Sequence, residues 1–195
     1  MHKLLLLLTL LLCVPVAYAD WLLDPHASSL EFVTIKKDTI SEVNQFRELS
    51  GRVTSAGHAE LKINLASVDT KNPVRDERMG IHLFDIGEFA TATFTADLNL
   101  NAITALQQGE TLESELSGLL SLHGFSRAVD THVSVTRTSG NSFRVVNSNS
   151  VSIDAADFGM SAGIEKLRQL ANLSIITPSV EVSFKLVFRE TPAAE

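Results

Sequence analysis

Val180-Glu181-Val182-Ser183-Phe184-Lys185-Leu186-Val187-Phe188 alternates along its whole length. Val180, Val182, Phe184, Leu186 and Phe188 fall on one side, and Glu181, Ser183 and Lys185 fall on the other. A period of two marks a strand with one face in a core and one in water. The same rhythm recurs upstream. Leu61, Ile63 and Leu65 oppose Lys62 and Asn64; Ala92, Phe94, Ala96, Leu98 and Leu100 oppose Thr93, Thr95, Asp97 and Asn99. Leu116, Gly118, Leu120 and Leu122 form another apolar set, and Val129, Thr131, Val133 and Val135 follow a turn around Gly124. Leu30, Phe32 and Thr34 make an early strand, Gly51 and Val53 a strand after Phe46, and Phe143 and Val145 a late one.

These runs amount to about eight strands joined mostly by short polar turns, and no strand–helix–strand rhythm separates them. The fold class is therefore all-β and antiparallel. Eight strands with one apolar face close into an up-and-down barrel or pair as a sandwich. Periodicity alone does not choose between the two. Two segments break the alternation. Residues 76–89 carry mixed charges and read as a short helix and loop. Ser161 to Leu173 places Ile164, Leu167, Leu170 and Ala171 at helical spacing, with Ser161 as the expected N-cap.

The first nineteen residues read as a leader. Lys3 precedes an apolar run from Leu4 to Val14, and Ala17-Tyr18-Ala19 has the small-x-small form of a cleavage site. The expected organisation is a signal peptide over residues 1–19, cleaved after Ala19, and one domain over residues 20–195, exported to the periplasm. The run is short of the ~20 apolar residues a membrane span needs. The single cysteine, Cys13, lies in the leader, so thiol catalysis, disulfides and cysteine-based metal sites are excluded from the exported chain. Removing Lys3 leaves fifteen basic residues against 23 acidic ones, a net charge of −8. An acidic chain without a basic stripe is a poor partner for nucleic acid or for anionic lipid surfaces. All ten Phe lie beyond the leader, and the one Tyr lies in it. A cavity lined by such residues suits a hydrocarbon chain better than a sugar.

Ser67 to Phe94 adds a specific resemblance. It contains Ser67-Val68-Asp69-Thr70, Arg75-Asp76-Glu77-Arg78-Met79, His82-Leu83-Phe84-Asp85 and Thr93-Phe94. This order resembles the signature of the YceI-like family, with Ala90 where a proline is usual. Asp24 to Phe32 is similar to the family's opening, Ser117 to Gly124 to its G-x-L-x-L-H-G strand and turn, and Ala156 to Met160 to its D-F-G element. The resemblance covers the chain beyond the leader. It implies a lipocalin-like, eight-stranded antiparallel barrel with one or two short helices. It also implies a ligand: an isoprenoid lipid such as a quinone or prenyl phosphate, or a fatty-acid-like amphiphile, held in the interior.

On that reading the candidate tail-binding residues are Phe32, Phe46, Ile63, Phe94, Leu120, Phe143 and Phe184. Packing and lining demand the same chemistry, so alternation leaves both roles open for each of them. Arg75, Arg78 and His82 are candidates for the lipid head group. Against this, Arg75 and Asp76 also suit a structural brace, such as a salt bridge holding a loop. Five histidines remain beyond the leader, His26, His58, His82, His123 and His132, without H-E-x-x-H or a close pair; no metal or cofactor is expected. No G-x-S-x-G elbow is present and no catalytic set is identifiable. The expected role is a carrier or store for the lipid. The alternatives are an enzyme or stress-protective factor acting on such a lipid, and a packed barrel working through protein contacts. A homodimer, and a membrane protein that donates or accepts the lipid, remain open from sequence.

Overall fold

The computed structural model describes residues 20–36 and 40–191; the leader expected over 1–19 lies outside the described residues. Twelve strand segments follow in chain order: β1 (Trp21–Leu23), β2 (Ser29–Lys36), β3 (Ile40–Phe46), β4 (Leu49–Val53), β5 (His58–Asn64), β6 (Val68–Asp69), β7 (Thr91–Asp97), β8 (Thr111–Leu122), β9 (Phe125–Arg137), β10 (Ser142–Asn147), β11 (Val151–Asp154) and β12 (Ser179–Glu190). They make eight staves, because four staves are interrupted. β1 and β2 lie end to end along one edge of β12, and β10 and β11 along its other edge. β4 and β3 continue each other beside β1 and β2, and β5 and β6 do the same beside them. Every pairing is antiparallel, each stave pairs with the next in sequence, and the last returns to the first through β12 with β1 and β2. The sheet is a closed eight-stranded barrel, as the sequence leads one to expect.

The interruptions have side-chain causes. Between β1 and β2 the Asp24 carboxylate accepts from the backbone N–H of His26 (3.0 Å) and Ala27 (3.3 Å), which folds the chain into a turn. Beyond β5, the Asn64 side chain accepts from the Ala66 N–H and starts a 3₁₀ turn over Leu65–Ser67, so Leu65 leaves the strand that alternation assigned to it. Between β10 and β11, Asn147 Oδ1 accepts from the Phe184 N–H (2.8 Å) and its Nδ2 donates to the Val182 carbonyl (3.1 Å). A side-chain amide thus stands in for the missing ladder.

Three helices cover the barrel ends. α1 (Pro73–Met79) begins three residues before the expected Asp76, because Asn72 Oδ1 caps the N–H groups of Val74 and Arg75 and Pro73 is preset for the first turn. It runs on as a π turn over Gly80–Phe84 and stops at Asp85, whose φ is 47°. α2 (Leu100–Thr104) replaces the end of an expected strand: Asn99 accepts from the Asn101 N–H and turns the chain after Asp97. α3 (Ser161–Leu170) ends three residues before Leu173, and Met160 rather than Ser161 occupies its N-cap, without a side-chain bond.

Candidate functional site

The inward face of the barrel encloses a cavity of about 500 Å³, within the range of small-molecule sites. Val180, Val182, Phe184, Leu186 and Phe188 of β12 all line it. So do all seven residues singled out from the sequence: Phe32, Phe46, Ile63, Phe94, Leu120, Phe143 and Phe184. Their burial divides them. Phe32, Ile63 and Phe143 are buried, whereas Phe46, Phe94, Leu120 and Phe184 point inward yet are only partly buried. Leu116, Val129, Val145 and Val182 behave like this second group. Inward side chains of a filled barrel touch neighbours on every side. These do not, so the interior is hollow.

The apolar interior forms two packed groups. The larger contains Leu30, Phe32, Ile63, Phe84 and Phe188, and the smaller is Val133, Val135 and Phe143. Ile103 of α2 packs on the smaller group, and exposed Thr104 and Glu115 line the cavity beside it. Trp21 meets Phe143 edge to face at 6.1 Å and donates from Nε1 to the Asn141 carbonyl at 3.1 Å, which fixes the floor there. At the opposite end, Phe32, Phe46 and Phe84 stack in sequence with centroid separations of 5.3 and 5.9 Å.

That second end also holds a polar corner. Thr34 of β2, Asn44 of β3, Thr70, and Asn72, Arg75 and Arg78 of the α1 segment all line the cavity. Exposed Asn72 and Val74 bring the lining out to the surface beside α1. Ile164 and Leu167 of α3 form the facing side of this mouth, and Arg78 Nη1 donates to the Leu170 carbonyl at 3.2 Å across it.

The three head-group candidates separate in the structure. Arg75 reaches the cavity with much of its guanidinium committed: Nε donates to Thr70 Oγ1 (2.7 Å), Nη2 to the Thr70 carbonyl (2.5 Å), and Nη1 to the Glu42 carboxylate. Asp76 accepts from the Thr70 N–H (2.9 Å) and from its hydroxyl. The two residues therefore brace the loop jointly through Thr70, and the ion partner of Arg75 is Glu42 rather than Asp76. Arg78 lies at the mouth and, among the described residues, bonds the Leu170 carbonyl. His82 is exposed and outside the lining, because the π turn points Leu83 and Phe84 inward instead.

The neighbouring signature residue, Asp69, is structural too. It accepts from Gln45 Nε2 (2.9 Å), the Lys71 N–H (3.0 Å) and Arg47 Nε (3.0 Å). These bonds, that from Gln45 foremost, hold its carboxyl down at about 2. The charged stretch from Asp69 to Arg78 thus ties α1 to β3 and shapes the mouth. Among the described residues no group of three or more His, Cys, Asp or Glu is placed to hold a metal ion, and no helix is long and apolar enough to cross a membrane. Four polar residues of this corner, Thr34, Asn44, Thr70 and Asn72, escaped the sequence reading as site candidates. Counting back by twos from Phe46 would have put Asn44 on the inner face.

The profile of the YceI-like domain family matches residues 21–188. A polyisoprenoid-binding domain from Saccharophagus degradans, implicated in plant cell wall breakdown, has 39% sequence identity and a TM-score of 0.85. That similarity covers 90% of this chain and 99% of the other. BcnA of Burkholderia cenocepacia shares the fold at 21% identity and a TM-score of 0.66, over 85% of this chain and 98% of its own. Among curated proteins, none matches the chain.

Proposed function

This chain belongs to the YceI-like family, and on that premise we propose that it is an exported binding protein that takes a long isoprenoid lipid into its barrel and carries or stores it. The observation that carries the proposal is the hollow interior, where Phe46, Phe94, Leu120 and Phe184 face inward without being fully covered. An apolar void of this kind gains about 25 cal/mol for each Å² of tail surface it removes from water. The 39% identity to a polyisoprenoid-binding domain supports the same ligand class. Fatty-acid-like chains satisfy the same wall chemistry.

In this reading the tail lies along the Phe-lined axis towards Trp21 and Phe143, and the lipid enters between α1 and α3. Arg78 stands where an entering head group first meets the protein. The role is binding without turnover, in keeping with Arg75 and Asp76 being engaged in bracing the loop through Thr70. Export through the leader, cleavage after Ala19 and a periplasmic working place complete the proposal. Transfer of a fluorescent C20 prenol between donor and acceptor vesicles held apart by a dialysis membrane tests it. Carriage predicts transfer that scales with protein concentration. Transfer no faster than with an unrelated barrel protein would reject it. The mass of the secreted chain, expected to start at Asp20, checks the export component.

A further inference from the structure

We propose that Asn44 reads the head group of the bound lipid, its side-chain oxygen accepting a hydrogen bond from a hydroxyl carried by the ligand. The proposal rests on the lipid-binding reading above and narrows it to lipids with an O–H donor. Asn44 is 3% exposed and lines the polar corner of the cavity. Its Nδ2 donates to the Glu42 carbonyl (3.1 Å) and to Thr34 Oγ1 (3.1 Å). A backbone carbonyl only accepts, so the first bond fixes which end of the amide is nitrogen. Both amide hydrogens are then used. Oδ1 is left buried with no partner among the described residues. Buried carbonyl oxygens are nearly always paired, because an unpaired one forfeits the water it left behind.

What completes Asn44 must donate. The nearby cation does not reach it, since Arg75 is engaged by Thr70 and Glu42. A donor on a ligand seated in this corner of the cavity, which Asn44 lines, would complete it. The ligand's tail would lie against the Phe32, Phe46 and Phe84 rings next to Asn44 and Thr34, which puts its polar end in this corner. A prenol or a quinol supplies the hydrogen. An ether, a quinone carbonyl and a fully ionised phosphate do not. The barrel should therefore bind a hydroxyl-bearing head about tenfold more tightly than an equal-tailed head that only accepts, the usual scale of one buried hydrogen bond.

The test compares geranylgeraniol, its methyl ether and the parent hydrocarbon in displacement titrations with the full exported protein and with Asn44→Leu. The proposal expects a roughly tenfold preference for the alcohol, lost in Asn44→Leu while ether affinity stays within about twofold. Equal affinity for alcohol and ether in the unaltered protein overturns the proposal and leaves lipid binding intact. A preference that survives in Asn44→Leu also overturns it. Binding of none of the three lipids overturns the lipid-binding reading itself. Should Asn44→Leu fail to fold, the ¹³C shift of the Asn44 side-chain carbonyl in the unaltered protein decides: it moves with the alcohol and not the ether, or the proposal fails. A short-tailed ubiquinol kept reduced under argon, set against its quinone, tells which source of the hydroxyl is favoured. A preference in both pairs admits a quinol as well as a prenol, and one in the alcohol–ether pair alone assigns a prenol.

Discussion

Replacing Ala96 with Phe should block the lipid while leaving the barrel standing. Ala96 is buried on β7, faces the cavity and pairs with Ala59 of β5, so two small side chains lie abreast in the wall. On the other side β8 contributes Gly118, one residue past the Thr95–Leu119 pair and covered by the Phe94 ring, itself a lining residue. A phenyl group at position 96 therefore points into the space a tail would use. It displaces about one isoprene unit, whose five carbons at about 0.8 kcal/mol each put a ceiling near 4 kcal/mol on the loss. Rerouting of the tail brings this to about 2–4 kcal/mol, or about thirty- to a thousandfold in affinity. Stability should change little, since the ~1.5–3 kcal/mol gained by covering the new ring is offset by ~1–3 kcal/mol of crowding. Titration with a C20 prenol and a urea melt of the same variant measure both quantities. Unchanged affinity in a folded variant would refute the placement of the tail. A loss of stability beyond about 3 kcal/mol would refute the hollow interior, because Ala96 would then abut a filled core.

Gly118→Ala should be costly in a way Ala96→Phe is not. Its Cβ would lie 2.2 Å from Phe94 Cζ and 2.5 Å from the Thr95 carbonyl oxygen, so about 1–3 kcal/mol of stability should be lost, and an unchanged melt contradicts the contact. Asp69 predicts an acid-labile brace. Its folded carboxyl titrates near 2, below the ordinary value of 3.8, so its stabilisation is fully present above about pH 4 and disappears as pH falls towards 2. Asp69→Asn should flatten the melting profile over that window; a parallel profile would place the acid sensitivity elsewhere. Arg75→Ala removes the bonds to Thr70 and Glu42 and should cost about 1–3 kcal/mol while changing selectivity between a prenol and its ether little. Arg78→Ala opens the bridge from α1 to Leu170 and should speed both uptake and release of lipid in stopped-flow measurements; release at the original rate would remove Arg78 from the gate.

The strands were legible because they obey a strict rule, while the choice of barrel over sandwich came from the family resemblance. β7, β8, β9 and β12 each put alternate residues inside, and nothing in their sequence competes with that pattern. The segments that were misread are those where a polar side chain overrides it. Asn64 converts Leu65 from strand to 3₁₀ turn, and Asn99 diverts Leu100 into α2. Asn72-Pro73 is a helix start written plainly in the chain, yet the charges that follow drew the boundary to Asp76. The wall residues could be named from parity alone, but not their exposure to a void, which depends on how eight staves close around one another. The head-group candidates fared unevenly for a related reason. Charge is visible in a sequence, whereas the partners that consume it are not: Arg75 is taken up by Thr70 and by Glu42, 33 positions upstream. Asn44 carries no charge; its burial and an oxygen without a partner among the described residues single it out.

Native mass spectrometry of the protein recovered from an exporting host, with organic extraction of whatever it carries, tests the lipid-filled barrel most directly. The account predicts a discrete added mass that yields a prenyl lipid on extraction. A bare polypeptide mass that takes up neither prenol nor quinol on addition would contradict it.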